Sequence, residues 1–187
     1  LKIQPWKFID GVFIVTPDVH KDERGFFSEI YKESEFKKAG LPTNFVQDNH
    51  SRSTKNVLRG LHFQWEPPMG KLMRVTLGAA ALVAVDIRID SKTFGEYAAI
   101  VATAENKRQL FAPAGFARGF YVISDVAEIQ YKCTGEYNKT CESGILWNDP
   151  ELGIFWPSKN PILSEKDEHA QTLREWLNNP KSKEFKI

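Results

Sequence analysis

Apolar residues in this chain come in short runs, broken at close intervals by turn residues, which is the pattern of a chain that folds mostly into strands. Residues 25–31 (GFFSEIY) are aromatic-rich and partly alternating. Residues 45–49 and 57–64 read as further strands, the second broken by Pro67-Pro68-Met69-Gly70. Residues 72–77 and 81–89 flank Gly78 as a hairpin, and the second arm, ALVAVDIRI, reads as a buried apolar run until Asp86 and Arg88. Residues 97–103, 108–113, 119–124 and 127–133 complete the strands. Helical signals occur twice. Residues 33–39 are stopped by Gly40 and Pro42, while residues 164–178 carry Leu173, Trp176 and Leu177 on one face and end at Pro180. The expected fold is mainly β: a single antiparallel jelly-roll domain over residues 1–187, with a few peripheral helices and a mouth able to hold one small ligand.

Composition narrows the function classes. With 42% hydrophobic and 26% charged residues in 187, the chain is ordinary for a soluble protein and long enough for a real core. A net charge of +1 gives no global bias toward nucleic acid or acidic membranes, so anion binding has to come from a local cluster of cations. The two cysteines, Cys133 and Cys141, cannot by themselves build a disulfide framework or a zinc site. The start, LKIQPWKFID, lacks the apolar core of a signal peptide, and no apolar run approaches the ~20 residues of a membrane span, so the expected location is cytoplasmic.

Among possible chemical groups, His62 in LRGLHFQ stands out. A metal-binding barrel usually supplies two histidines close together with a carboxylate, but Gly60 and Gln64 flank His62 and the other histidines (His20, His50, His169) are dispersed; no metal is expected. Arg59 and His62 are three apart and fall on opposite faces of a regular strand, so only a bulge brings both to one cavity. Lys71, Arg74, Arg108 and Arg118 add cations to apolar strands, as suits a phosphorylated ligand. Asp167 has two readings: a member of a capping box with Ser164, or a carboxylate that orients a histidine. Tyr131 and Tyr137 can donate a proton or stack on a planar base, or simply pack in the barrel wall.

The ordered blocks DERGFF (22–27), FVQDNHSRS (45–53), LRGLHFQ (58–64), GKLMRV (70–75), TAENKRQLFAPAGFARGF (103–120), YKCTGEY (131–137), GILWNDPELGIFWP (144–157) and LSEKD (163–167) resemble the dTDP-4-dehydrorhamnose 3,5-epimerases, cupin-like jelly rolls that act on sugar nucleotides. The resemblance implies inversion of C3 and C5 in a dTDP-linked 4-keto-6-deoxy sugar, without metal or organic cofactor, on the way to dTDP-L-rhamnose. A related enzyme that inverts only one of these centres shares nearly all the motifs and is the alternative. By the resemblance His62 is the base, Asp167 its carboxylate partner, Lys71 the cation near the C4 oxygen and Tyr131 the proton donor. Tyr137 matches the ring that stacks on thymine, and Gln47, Asp48, Asn49, Arg59, Arg118, Glu142 and Lys166 match ligand contacts. Arg24 and Glu29 match residues that reach the nucleotide of a neighbouring subunit, which implies a homodimer. Two departures stand out: Arg118 occupies the place of the histidine in the family's usual GFAHGF, and Leu82 a place where the family often has an acid.

Overall fold

In the computed structural model, which describes residues 1–185, two antiparallel sheets face each other. The six-stranded sheet runs in the order β1 (Lys2–Pro5), β2 (Phe13–Thr16), β10 (Gln109–Ala112), β7 (Lys71–Leu77), β12 (Val126–Cys133), β5 (Gln47–Thr54). The five-stranded sheet runs β13 (Glu142–Gly144), β6 (Leu58–Gln64), β11 (Phe116–Val122), β8 (Ala79–Asp86), β9 (Tyr97–Thr103). A separate hairpin pairs β3 (His20–Asp22) with β4 (Gly25–Phe27). The helices are short: α1 (Glu33–Lys38), α2 (Glu165–Glu168) and α3 (Leu173–Asn178). The family's β-rich, cupin-like architecture is the one observed.

Three apolar layers hold this arrangement. Between the sheets lie Met73, Val75, Leu82, Ala84, Leu110, Phe116, Phe120 and Ile129. The outer face of the five-stranded sheet (Leu61, Phe63, Val83, Val85) is covered by Trp147, Trp156, Leu173, Trp176 and Phe185 from the C-terminal part of the chain. The outer face of the six-stranded sheet (Val15, Leu72, Phe111) is covered by Phe36 of α1 with Leu41, Tyr31 and Phe45. Strand β8 therefore sends Leu82 and Ala84 inward and Val83 and Val85 outward, and both sides are buried. That is why its sequence does not alternate.

Several expected boundaries move. The strand expected at 45–49 instead runs to Thr54. Its residues are QDNHSRST, because its inner positions face a polar part of the interior, and hydropathy therefore hides it. The strand expected to continue to residue 89 stops at Asp86, whose buried carboxylate accepts bonds from Arg88, Ser91 and Thr93 and folds the chain into a turn. Only residues 25–27 of the expected strand 25–31 pair. The helix expected over 164–178 is two helices. Ser164 caps α2, and Thr172 opens α3 with a full capping box to Glu175. Between them the Gln171 carbonyl accepts from Leu146 N at 2.8 Å and so cannot serve a helix. Leu177, expected on the apolar face, is exposed.

One irregularity shapes the interior. Arg118 pairs with His62 and Phe120 with Arg59, so β6 holds one residue more than β11 over this stretch. The bulge contains Gly60 (φ +139), and a Cβ there would meet Gly119 Cα at 2.6 Å. The two strands approach this closely only because both positions are glycine. The extra residue shifts the side-chain phase, so that Arg59 and His62 line the same cavity.

Candidate active site

The cavity between the sheets has a volume of about 160 Å³ and is bordered by Arg59, His62, Lys71, Tyr131 and Arg118, with Ser51 and Met73. His62 belongs to β6 of the five-stranded sheet, while Lys71 and Tyr131 belong to β7 and β12 of the six-stranded sheet, so they occupy opposing walls.

His62 is held from behind. Its Nε2 lies 2.5 Å from Asp167 Oδ1, and Asp167 is almost fully buried. Burial alone would push the Asp167 carboxyl up. The hydrogen bond and charge of His62, Gly60 N–H and Ser164 outweigh burial, and its pKa falls below the ordinary value. An ionised carboxylate only accepts, so Nε2 carries the proton and donates it to Asp167, leaving Nδ1 as the basic atom. The His62 side chain keeps 31% of its surface accessible. The capping reading of Asp167 holds by half: its backbone N–H donates to Ser164 Oγ at 3.2 Å, while its carboxylate turns to His62.

Lys71 sits 5.1 Å above the centre of the Tyr131 ring. Burial, and then the charge of Arg118, bring its pKa down to about 8, against opposing pulls from Cys133 and Glu142. Burial, with Cys133 and Glu142, pushes Tyr131 up and keeps it a protonated phenol at neutral pH.

Arg118 is buried, and burial lowers its pKa to about 10. Nη1 and Nη2 both donate to the Met69 carbonyl oxygen at 2.6 Å, and Nη1 lies 3.4 Å from Pro113 O. Its Nε is buried and makes no hydrogen bond among the described residues. Arg59 is more exposed, with Nε donating to Ser53 Oγ at 3.0 Å.

At the mouth the expected ligand contacts are joined to one another. Glu142 Oε1 accepts from Tyr137 Oη at 2.7 Å and lies 2.6 Å from Lys166 Nζ. Gln47 Oε1 accepts from Tyr137 N at 2.8 Å, Gln47 Nε2 donates to Asn49 Oδ1 at 3.0 Å, and Asn49 Nδ2 reaches Cys133 Sγ at 3.5 Å. Asp48 is not part of this cluster: it turns to the other face of β5 and pairs with Lys132 at 2.9 Å. Arg74 likewise lies on the outer face, donating to Gln130, and Arg108 is exposed. Arg24 and Glu29 lie in and just beyond the β3–β4 hairpin, exposed and outside the cavity lining, with Arg24 held by Asp22 and Glu29 near Lys32. Leu82 fills the core. Sequence reasoning passed over Ser51 and Cys133. Both lie two residues from a singled-out residue on the same strand, so the two-residue strand period was the signal that would have found them.

Among the described residues no three His, Cys, Asp or Glu side chains are grouped so as to hold a metal ion. The arrangement can remove a proton from one side of a small ligand, return one from the other side, and stabilise negative charge between them.

The chain is similar to known proteins over most of its length. Residues 7–175 match the family model for dTDP-4-dehydrorhamnose 3,5-epimerase. The Shigella flexneri protein of that name is 53% identical over 165 residues, covering 87% of this chain and 91% of its own. A Legionella pneumophila 3,5-epimerase, solved with dTDP-4-keto-L-rhamnose, superposes with a TM-score of 0.89 at 44% identity, over 92% of this chain and 93% of that one. A Streptomyces niveus protein named dTDP-4-dehydrorhamnose 3-epimerase is 37% identical, over 89% of this chain and 82% of its own. With its β-rich double sheet and a family match over most of its length, the chain belongs to the dTDP-4-dehydrorhamnose 3,5-epimerase family, a group of isomerases of dTDP-rhamnose biosynthesis.

Proposed function

We propose that this cytoplasmic enzyme inverts both C3 and C5 of dTDP-4-dehydro-6-deoxy-D-glucose to give dTDP-4-dehydro-L-rhamnose, using its own side chains alone. The observation that carries this reading is the His62–Asp167 pair at 2.5 Å on one wall of the cavity, facing Lys71 and Tyr131 on the other.

Both reacting hydrogens sit on carbons next to the C4 ketone. His62 Nδ1 takes a proton from C3 or C5, and the electron pair moves through the new C=C bond onto the C4 oxygen. Lys71 stabilises that oxygen, a kind of contact whose loss costs roughly 3–4 kcal/mol in the transition state. Tyr131 returns a proton to the same carbon from the opposite face, and inversion results. His62 then loses its proton and Tyr131 regains one, both through solvent, before the second centre reacts. A single base would return the proton to the face it left, so the two-wall arrangement supports inversion rather than exchange alone.

Arg59 binds the diphosphate, while Arg118, held on the Met69 carbonyl, lines the cavity wall beside the sugar. Tyr137 stacks on the base, with Gln47, Asn49, Glu142 and Lys166 around the nucleotide and Asp48 bordering them from the outer face. Binding remote from the reacting carbons orients the sugar. The enzyme acts as a homodimer in which Arg24 and Glu29 reach the nucleotide held by the other subunit. The exposed hairpin that carries Phe26 and Phe27 supports this.

The test is NMR of product formed in heavy water. Deuterium and inversion at both C3 and C5 are expected, and incorporation at only one carbon would favour the single-centre alternative. His62→Ala should lower turnover by about 10²–10⁴-fold while dTDP still binds. Near-normal turnover in that variant would overturn the assignment.

A further inference from the structure

Arg118 presents an anomaly that ligand contact alone does not explain. Its guanidinium is buried in the interior of the protein, makes no ion pair with a carboxylate among the described residues, and leaves Nε unsatisfied. On the same wall Ala84 pairs with it directly and Leu82 and Phe120 lie one step along, all hydrocarbon, while its other direct partner, His62, offers it no negative charge. An apolar side chain would pack here without the desolvation penalty of an unpaired cation. The terminal nitrogens converge on the Met69 carbonyl, two residues before Lys71, at the point where β7 begins.

We propose that Arg118 is a positioning residue for Lys71: it fixes the chain just upstream of the lysine and places a permanent second cation beside the ammonium, so that the wall near the C4 oxygen carries two charges. This rests on the reading of Lys71 as the group that stabilises the enolate.

The surroundings of Lys71 favour such a role. Arg118 comes from β11, Cys133 and Tyr131 from β12, Glu142 from β13, Lys166 from α2, and His62 and Arg59 from β6. The one carboxylate in that set, Glu142, is already held by Lys166 at 2.6 Å. The cavity therefore lacks a fixed counter-charge for Lys71 and Arg118, and an anion forming there supplies it. In the free enzyme the same arrangement weakens the hold of Lys71 on its proton, in line with its lowered value of about 8.

The experiment is the pH dependence of kcat/KM, which reports groups of the free enzyme. In the wild type the alkaline limb should fall near pH 8, as Lys71 loses its proton. In Arg118→Met the limb should move up by about half a pH unit or more, because removing a neighbouring cation favours protonated Lys71. Turnover at pH 7 should fall by about tenfold or more, with dTDP affinity within about twofold of wild type. Arg118→Lys keeps the charge and loses the two-pronged hold on Met69, so the limb should stay in place while turnover drops. An unmoved limb in Arg118→Met, or dTDP affinity falling in step with kcat/KM, would overturn the proposal. If Arg118→Met does not fold, Arg118→Gln, which keeps a donor for Met69 O, is read the same way. A wild-type enzyme that incorporates no solvent hydrogen would instead overturn the epimerase reading itself, before any variant is made.

Discussion

In its proposed role Lys71 would serve chemistry at the expense of stability. Its folded value of about 8 lies below the 10.5 of an exposed lysine, so the native state disfavours the charged form. Between these two values the unfolded chain binds more protons and stability rises with pH; below pH 8 both states are charged and the full penalty persists. Lys71→Met should therefore stabilise the protein at pH 7 by on the order of 2 kcal/mol, seen as a higher urea midpoint, while turnover falls by about 10²–10³-fold. A variant that loses stability along with activity would contradict this. At this scale the motifs that resemble the family were informative: His62, Lys71 and Tyr131 border one cavity, and Asp167 stands behind the histidine. The hold of Arg118 on Met69 was hidden, because a long side chain that reaches a backbone carbonyl leaves no trace in residue spacing. Asp48 stands apart from Gln47 and Asn49 because those two point inward, and strand geometry sends the residue between them outward.

Among the elements, the β6–β11 pair matters most. A Cβ on Gly119 would meet the Arg59 carbonyl oxygen at 2.6 Å, backbone that cannot swing away as a side chain can. Gly119→Ala should force the strands apart at the bulge, costing about 1–3 kcal/mol in chemical denaturation. It should also lower turnover by about tenfold or more, because Arg59 and His62 share that backbone. Wild-type kinetics in this variant would show that the close approach does not set the position of His62. The need for a bulge could be stated from the three-residue spacing of Arg59 and His62, but its position could not, since an extra residue appears only when the partner strand is known. The short strands β1, β2 and β13 were likewise unread, being three or four residues long. The split of the C-terminal helix followed from a hydrogen bond between Leu146 and Gln171, a tertiary contact that overrides an apolar face with helical spacing.

For the whole molecule, the jelly roll was legible because strands and turns alternate along most of the chain, while the sheet partners of each strand were not. The layering explains both the success and the limits. Strands with two buried faces, such as β8, read clearly as apolar runs, and strands with a polar inner face, such as β5, are legible only in part. The assembly is tested at this scale too. Phe27 is 71% exposed, with no partner that buries it among the described residues, whereas Phe26 lies under Lys107 Nζ at 3.5 Å. Phe27→Ser should shift the protein toward monomer in sedimentation velocity, with little change in the thermal midpoint of the isolated subunit. A dimer unaffected by this change would place the subunit contact elsewhere.

His62 and Tyr131 are carried by different sheets, and the layer packed between those sheets is largely hydrocarbon. On the proposed mechanism, the fidelity of inversion depends on the gap between two leaves as well as on the two groups. A leaf spacing too wide for the phenol to reach the carbanion leaves reprotonation to the imidazolium, which, once it has traded its proton with solvent, delivers a solvent hydrogen to the same face, so hydrogen is exchanged while handedness is retained. A filler such as Leu82, which lies in the core outside the cavity lining, would in this sense act as a spacer that helps to set which stereoisomer leaves.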